Sequence, residues 1–255
     1  MGQRPAVVVT GVSKRAGIGA AVVRKLIASG WDVAMTGWPP YDETVPWGRV
    51  QGATEELLAL AVASGARAVA IEADLGDPDA PRSVFESAEE SLGPITALVV
   101  VHTHDPGGGL FDVSAAEFDR HMAINARATM LLIAEFARQF DGPTGRGRIV
   151  TFTSGLPLKG SIAYAASKGA IEWITVSAAA ELAERGITVN AVNPGPNDTG
   201  WMSDDIRRKV EQESPLGRIG RPQDTAELVD FLCSEHSGWI TGQIHASDGG
   251  WSKLR

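Results

Sequence analysis

Short apolar runs rich in β-branched residues alternate with longer segments of helical periodicity along this chain. Six of these runs are continuously apolar rather than alternating in polarity, which is typical of strands buried on both faces of a parallel sheet. They are AVVVT at 6–10, DVAMT at 32–36, RAVAIE at 67–72, TALVVV at 96–101, RIVTF at 148–152 and TVNAVN at 188–193. The alternation predicts a single-domain α/β fold over residues 1–255, with a doubly wound parallel sheet.

Several local signals predict where helices begin. Asp77 followed by Pro78 predicts an N-cap with proline in the first turn, SAAE at 114–117 predicts a capping box, and Arg221–Pro222 precedes a segment of helical periodicity. The prolines within 37–48 predict a stretch without regular structure. A ligand is expected beside the carboxyl ends of the strands, near the switch point between the first and the fourth.

Composition narrows the classes of partner. The chain has 23 Lys and Arg against 31 Asp and Glu, and no block of five or more like charges, so a nucleic-acid partner is not expected. Its single cysteine, Cys233, cannot form an internal disulfide. With no signal-peptide pattern and no apolar run long enough to span a bilayer, we expect a cytoplasmic protein with no membrane partner.

A glycine-rich loop follows the first predicted strand. Gly11, Gly17 and Gly19 lie before the helical segment IGAAVVRKLIASG, where main-chain N–H groups at a helix start favour a phosphate. The spacing differs from G-x-G-x-x-G, and no Gly-Lys-Ser/Thr follows. The loop taken alone is equally compatible with a plain strand-to-helix corner.

The segment YAASK places Tyr164 and Lys168 four residues apart, on one face of a predicted helix. A lysine beside a phenol favours the phenolate, so we expect the pKa of Tyr164 to fall from near 10 toward neutrality. Ser154 ends the fifth predicted strand, where its hydroxyl could hydrogen-bond a substrate oxygen. The alternatives are a tyrosine and a lysine on a solvated helix face, and a serine that only forms a turn.

Five ordered motifs together resemble the short-chain dehydrogenase/reductase family over nearly the whole chain. The opening T-G-x-x-x-G-x-G pattern is present with two extra residues, and the C-terminal segment from 215 to 251 is similar to the ending of single-domain members. The matching residues are Thr10, Gly11, Gly17, Gly19, Asn125, Ser154, Tyr164, Lys168, Pro194, Gly195 and Thr199. The resemblance implies a Rossmann-like sheet of about seven strands.

The resemblance also implies an NAD(P)-dependent oxidoreductase that moves a hydride between nicotinamide and a carbonyl or secondary alcohol. Tyr164 would be the general acid or base, and Ser154 would orient the substrate oxygen. Lys168 would hold the nicotinamide ribose and lower the pKa of the tyrosine, and Asn125 would position a water. An enoyl or imine reductase, and a catalytically silent nucleotide-binding regulator, are the alternative functions.

The residues expected to bind the cofactor follow from the same resemblance. Thr199 would contact the carboxamide and Asp74 the adenine, although Asp74 could equally cap a turn. The full set is Gly11, Ser13, Lys14, Arg15, Gly17, Ile18, Gly19, Gly37, Trp38, Asp74, Leu75, His102, Tyr164, Lys168, Pro194, Gly195 and Thr199.

NADP(H) is expected rather than NAD(H). The position that carries an acid in NAD-preferring folds is Gly37, and Lys14 and Arg15 suit a 2′-phosphate. Against this, Trp38 stands where many NADP-dependent relatives carry an arginine, and Asp42 or Glu43 could fold back as the acid. Apolar helical segments at 121–140 and 161–184 predict a homodimer or a homotetramer.

Two departures from the family pattern stand out. The N-N-A-G after the fourth strand is replaced by VVHT or VHTH, so Val100 and Val101 are expected to pack there. For His102 and His104 we weigh loop histidines satisfied by the main chain first, substrate contacts second and a metal third, and we predict no metal site. Ser154 and Tyr164 are closer in sequence than is common in the family, which predicts an altered or more open substrate pocket.

Overall fold

The computed structural model describes residues 4–44, 51–155, 158–200 and 202–254. Within them, seven strands form one parallel sheet in the order β3-β2-β1-β4-β5-β6-β7. The strands are β1 (Ala6–Thr10), β2 (Asp32–Gly37), β3 (Ala68–Glu72), β4 (Ile95–Val100), β5 (Gly147–Phe152), β6 (Ile187–Asn193) and β7 (Ile244–Ala246). This confirms the doubly wound, Rossmann-like α/β fold, and the six predicted strands lie within one residue of these bounds.

Helices cover both faces of the sheet. They are α1 (Ile18–Ala28), α2 (Pro39–Asp42), α3 (Ala53–Ala63), α4 (Ala80–Leu92), α5 (Ala115–His121), α6 (Ala128–Gln139), α7 (Ile162–Leu182), α8 (Asp204–Glu213), α9 (Pro222–Cys233) and α10 (Trp251–Leu254). A π-helical turn, Met122–Arg127, joins α5 to α6. Along the described ranges, every helix is too short or too polar to cross a membrane.

The core consists of two apolar layers separated by the sheet. Val7 and Val9 of β1 belong to the layer that packs under α1, α3 and α9, whereas Ala6 and Val8 belong to the layer under α4, α6 and α7. Both faces of β1 are therefore buried, which explains why its sequence is continuously apolar. The continuous burial also leaves the strand ends as the place where polar side chains can gather.

The predicted helix starts are confirmed in two cases and wrong in one. The Ser114 hydroxyl accepts the Glu117 N–H at 3.1 Å, and α9 begins at Pro222 after Arg221. The predicted cap at Asp77 is wrong, because α4 begins at Ala80 with Asp79 as its N-cap. The Asp77 carboxylate accepts the Asp79 N–H at 2.9 Å and so forms a turn before the helix.

The stretch 37–48 was expected to lack regular structure, and this is wrong for Pro39–Asp42, which forms α2. Proline is tolerated at the first helical positions because its missing N–H would have no intrahelical acceptor there. Residues 45–48 lie outside the described ranges.

Candidate active site

Ser154, Tyr164 and Lys168 come together at the carboxyl end of β5. Ser154 follows the strand, and Tyr164 and Lys168 lie on the same face of α7, as their spacing predicted. Lys168 is buried, its Nζ lies 5.5 Å from the centroid of the Tyr164 ring, and it donates a hydrogen bond to the main-chain oxygen of Phe152 at 3.0 Å. The ammonium is thus fixed beside the phenol.

Desolvation is the main cause that raises the pKa of Tyr164 to about 12, and the negative charge of Asp105 is the second. Hydrogen bonds of the phenol with Ser154 and Thr103 act in the opposite direction. The expected fall of this pKa toward neutrality is therefore wrong, because burial and the charge of Asp105 outweigh the groups that favour the phenolate. Tyr164 keeps its proton at neutral pH and is suited to donate it.

Burial lowers the pKa of Lys168 to about 8, and the charge of Asp105 partly opposes this. The ammonium form therefore predominates below that pH. Asp105 acts on Tyr164 and Lys168 together, so the loop after β4 contributes a charge to the site. Neither Thr103 nor Asp105 was identified from the sequence, because no spacing rule links that loop to α7.

Asn125 lies in the π-helical turn and is buried. Its Oδ1 accepts the His104 N–H at 2.7 Å, and its Nδ2 donates to the His104 carbonyl at 2.9 Å and to Ser167 Oγ at 2.9 Å. Asn125 therefore holds the loop after β4 against α7. Its predicted role in positioning a water stays a prediction.

The loop after β4 also contacts the segment between Ser154 and Tyr164. The Gly108 N–H donates to the Gly160 carbonyl at 2.9 Å, and the Ile162 N–H donates to the Gly108 carbonyl at 3.2 Å. Residues 156–157 of that segment lie outside the described ranges. The two loops thus form one wall beside Tyr164, and the altered or more open pocket stays a prediction.

The glycine loop after β1 leaves no room for side chains. Gly11 has φ +73°, and a Cβ there would lie 2.6 Å from the His102 Cα. A Cβ on Gly19 would lie 2.4 Å from the Gly11 carbonyl oxygen. Gly17 is the N-cap of α1 and adds no side-chain cap, so the first N–H groups of the helix are available to an anion. This cradle fits the pyrophosphate of a dinucleotide.

The two cations of that loop face different parts of the protein. The Arg15 guanidinium makes a bidentate ion pair with Glu56 of α3, at 2.6 and 2.8 Å. Lys14 is half-buried, which lowers its pKa, while Asp198 raises it. Arg15 therefore lies on the α3 side of the loop, and Lys14 on the side of the loop after β6.

Gly37 ends β2 beside the glycine loop. A Cβ on Gly37 would lie 2.8 Å from Ser13 Oγ, so Ser13 occupies the space that an acidic side chain would need. Trp38 follows as the N-cap residue of α2 and is partly buried. The cofactor contacts predicted for Ser13, Gly37 and Trp38 stay predictions.

The remaining predicted cofactor residues lie in the loops after β3 and β6. Asp74 accepts the Gly76 N–H at 2.8 Å, which is the turn that the sequence left as an alternative. Gly195 has φ +59°, and a Cβ there would lie 2.4 Å from Asp248 Cβ. The Thr199 N–H donates to the Asn197 carbonyl at 3.0 Å. These loops are ordered by their own hydrogen bonds, and their contacts with the cofactor stay predictions.

His102 is a buried, fully hydrogen-bonded histidine. Its Nε2 lies 2.8 Å from the Ile124 carbonyl oxygen, which can only accept, so Nε2 carries the proton. Its Nδ1 then accepts the Thr10 hydroxyl at 2.8 Å. Burial lowers the pKa of His102 to about 4, so the ring is neutral and braces the ends of β1 and β4. Of our three interpretations, the first, a loop histidine satisfied by hydrogen bonds within the protein, therefore describes His102.

His104 has different surroundings. Its Nε2 lies 2.5 Å from Glu117 Oε1, and its ring packs edge-on against His121, with centroids 4.8 Å apart. His121 Nδ1 lies 2.8 Å from the Glu117 carbonyl oxygen. Glu117 and His121 were not identified from the sequence as neighbours of His104. The sequence did contain one signal for this cluster: Glu117 and His121 are four residues apart in α5, which places them on the same helix face.

The chain is similar in sequence to several known proteins. A family model described as enoyl-(acyl carrier protein) reductase matches residues 11–252. An uncharacterized oxidoreductase, YjdA, of Bacillus subtilis strain 168 is 40% identical over 253 residues, which cover 98% of this chain and 97% of the relative. An NADPH-dependent aldehyde reductase-like chloroplastic protein of Arabidopsis thaliana is 35% identical over 199 residues, covering 73% of each chain.

Solved structures show the same fold. The crystal structure of a blue fluorescent protein from a metagenomic library, in complex with NADPH, has a TM-score of 0.87 and 34% identity and covers 98% of both chains. A short-chain dehydrogenase/reductase from Serratia marcescens has a TM-score of 0.87 and 30% identity, again over 98% of both chains.

Proposed function

Because this chain belongs to the short-chain dehydrogenase/reductase family of oxidoreductases, we propose that it reduces the carbonyl group of a small organic substrate with NADPH, or oxidises the corresponding secondary alcohol. The observation that carries the proposal is the arrangement around Tyr164. Its phenol is protonated at neutral pH, hydrogen-bonds with Ser154 and lies beside the buried ammonium of Lys168. That is the set of groups needed to give a proton to a carbonyl oxygen.

In the reductive direction, Tyr164 donates its phenolic proton to the substrate oxygen, and Ser154 holds that oxygen by a hydrogen bond. The Lys168 ammonium then stabilises the resulting phenolate from beside the ring. In the oxidative direction the phenolate takes the proton back from the alcohol. A dinucleotide held at its pyrophosphate by the glycine cradle would supply or accept the hydride through its nicotinamide.

A substrate screen tests this proposal. The full-length protein is mixed with NADPH or NADH and a panel of ketones, aldehydes and enones, and with NADP⁺ or NAD⁺ and secondary alcohols, while the absorbance of the reduced nicotinamide is followed. We expect turnover with one or more carbonyl compounds. Tight binding of cofactor with no turnover on any panel member would favour the silent regulator instead.

An enoyl reductase is the second candidate, because the matching family model carries that description. The same proton donor would then protonate the enolate or the α-carbon rather than a carbonyl oxygen. The two functions differ in product: a saturated ketone from an enone indicates enoyl reduction, and an allylic alcohol indicates carbonyl reduction. Product analysis on one enone distinguishes them.

NADP(H) is our proposal for the preferred cofactor. Gly37 carries no acid, Ser13 fills the space beside it, and Arg15 lies in the loop that approaches the same ribose. The NADPH complex of a structural relative supports this. Because Arg15 faces α3 and Lys14 faces the loop after β6, we assign the 2′-phosphate to Arg15, which would exchange part of its contact with Glu56 for the phosphate.

We expect the variant Arg15→Ala to lose much of the wild-type preference for NADPH over NADH, measured as the ratio of kcat/KM values, and Lys14→Ala to lose less. Removing the competing carboxylate in Glu56→Gln should raise the NADPH preference. Glu56→Gln is also the matched control, since it breaks the same ion pair without removing the guanidinium. A wild-type preference for NADH, or an unchanged ratio in Arg15→Ala, would contradict the assignment.

A homodimer or homotetramer is likewise our proposal. The faces of α6 and α7 expose large apolar side chains, among them Met130, Trp173 and Val176, and Trp173 is 75% exposed. Exposed apolar patches of this kind are typical of subunit contacts. Light scattering on dilute protein should give a multiple of the 26.9 kDa chain mass, and a monomer alone would contradict this prediction.

A further inference from the structure

A cluster of three metal-ligating side chains lies beside the active site and takes no part in the proposed reaction. His104 belongs to the loop after β4, and Glu117 and His121 lie one turn apart on α5. One donor atom from each residue lies within 4.8 Å of the others. His104 and His121 are 6% and 1% exposed, so both rings are shielded from solvent.

Each imidazole of the cluster has one nitrogen without a partner among the described residues. His104 directs Nε2 at Glu117 Oε1, and His121 directs Nδ1 at the Glu117 carbonyl oxygen. His104 Nδ1 and His121 Nε2 are buried and have no hydrogen bond. Buried polar atoms are nearly always paired, because each orphan costs about 1–3 kcal/mol. By contrast, His102 uses both of its nitrogens.

In place of the sequence-based prediction of no metal site, we propose that His104, Glu117 and His121 bind a divalent transition-metal cation of the zinc class. Two imidazoles and one carboxylate are a donor set that zinc accepts, with a further position left for another ligand. Asp105 offers a further carboxylate, with its Oδ1 3.9 Å from His121 Nε2. The partner is identified by this donor chemistry: a harder cation such as Mg²⁺ would need more oxygen ligands than the cluster offers.

Binding of a cation requires one change in the cluster, at the hydrogen bond between His104 and Glu117. Ligands of a tetrahedral zinc ion lie about 3.4 Å apart. One donor atom from each of the three residues lies within 4.8 Å of the others, and Glu117 Oε1 and His104 Nε2 are only 2.5 Å apart in their hydrogen bond. Binding therefore requires the His104–Glu117 pair to open by about 1 Å, with the cation replacing the shared proton.

The protons balance in this step. Coordination by His104 Nε2 requires the other neutral tautomer of this ring, so the proton leaves Nε2 through solvent while Nδ1 takes one up, and the ring stays neutral. Glu117 stays a carboxylate and exchanges one hydrogen bond for a metal bond. His121 can coordinate through Nε2 while its Nδ1 keeps the Glu117 carbonyl. No oxidant or reductant is needed, because the cation does not change its charge.

The test is metal binding, so its outcome does not depend on the proposed enzymatic reaction. Full-length protein is dialysed against a chelator, returned to chelator-free buffer and titrated with Zn²⁺ by calorimetry. It is titrated with Co²⁺ while the visible d–d absorption is followed. We expect one cation per chain, a tetrahedral Co²⁺ spectrum and displacement of Co²⁺ by Zn²⁺. If neither cation binds when it is present at about 100-fold molar excess over the protein, the proposal is overturned.

Three variants place the cation. Glu117→Gln and His104→Gln should each weaken Zn²⁺ binding at least tenfold. Loss of a group that only orients a metal ligand already lowers metal affinity by about tenfold or more, and loss of the ligand itself should cost no less. His236→Gln is the matched control, since His236 is an exposed histidine of the turn 235–237. Circular dichroism confirms that each variant is folded. If one of the two ligand variants does not fold, the other one alone tests the site. Unchanged affinity in both ligand variants, or loss of binding in His236→Gln, would overturn the proposal.

Discussion

Replacing Tyr164 with phenylalanine is expected to lower kcat by roughly two to four decades while leaving the dissociation constant of the cofactor nearly unchanged. The substitution keeps the ring that packs beside Lys168 and removes only the hydroxyl. The proton that the wild type gives to the substrate oxygen is then lost, as is the hydrogen bond with Ser154. Turnover is measured by reduced-nicotinamide absorbance, and cofactor affinity by fluorescence titration.

The chain contains a matched control, because Tyr41 is its other tyrosine. Tyr41 contacts the same loop: its hydroxyl accepts the Asp105 N–H at 3.4 Å, and burial raises its pKa. Tyr41→Phe should therefore leave kcat within a small factor of the wild type. Full turnover in Tyr164→Phe would mean that another group supplies the proton, and would refute the role assigned to Tyr164.

Asn125→Ala is expected to lower the free energy of unfolding by about 2–6 kcal/mol, since it leaves the main-chain N–H and carbonyl of His104 buried without their partners, at about 1–3 kcal/mol each. It should also lower kcat, because the loop that Asn125 holds carries Thr103 and Asp105 to Tyr164. Denaturant unfolding measures the first effect, and kinetics below the transition measures the second.

Asn190→Ala separates these two effects. Asn190 is also buried and makes a comparable pair of main-chain contacts with the segment before β7, donating to the Ile240 carbonyl at 2.8 Å and accepting the Gln243 N–H at 3.1 Å. Its loss should lower stability to a similar extent and leave kcat per folded molecule unchanged. If Asn125→Ala unfolds like the wild type, or if the two variants lose kcat alike, Asn125 does not position the loop.

The six longer strands could be predicted because burial on both faces requires a continuous apolar run, and such runs are visible without any knowledge of the fold. The seventh, β7, could not be located by the same rule. It has three residues, pairs only with β6 at the edge of the sheet, and contains His245 between Ile244 and Ala246. An edge strand of this length has too little buried surface to leave a pattern.

At the candidate site, the sequence predicted what depends on local spacing. Tyr164 and Lys168 share a helix face because they are four residues apart, and that was confirmed. The direction of the pKa shift of Tyr164 was wrong because it depends on burial and on Asp105, which reaches the site from another loop. The pairing of Arg15 with Glu56 is likewise a contact between distant segments, and no rule of spacing predicts it.

The cluster of His104, Glu117 and His121 combines a contact that local spacing predicts with one that only the fold creates. Glu117 and His121 are four residues apart on α5, so their proximity is a local property. Their approach to His104 depends on the clamp that Asn125 places on the main chain of that residue. Two local patterns were thus visible separately, and only the folded chain joins them.

The central claim is that hydride moves between the nicotinamide and a carbonyl carbon while Tyr164 supplies the proton to oxygen. The most direct measurement uses NADPH deuterated at C4 of the nicotinamide, the wild-type enzyme and the best carbonyl substrate of the screen, with the product analysed by NMR. We predict a single deuterium on the carbon that bears the new hydroxyl group, formed at a rate that falls by roughly two to four decades in Tyr164→Phe. Deuterium on a carbon that bears no oxygen, or no deuterium transfer to any carbonyl of the panel, would contradict the account.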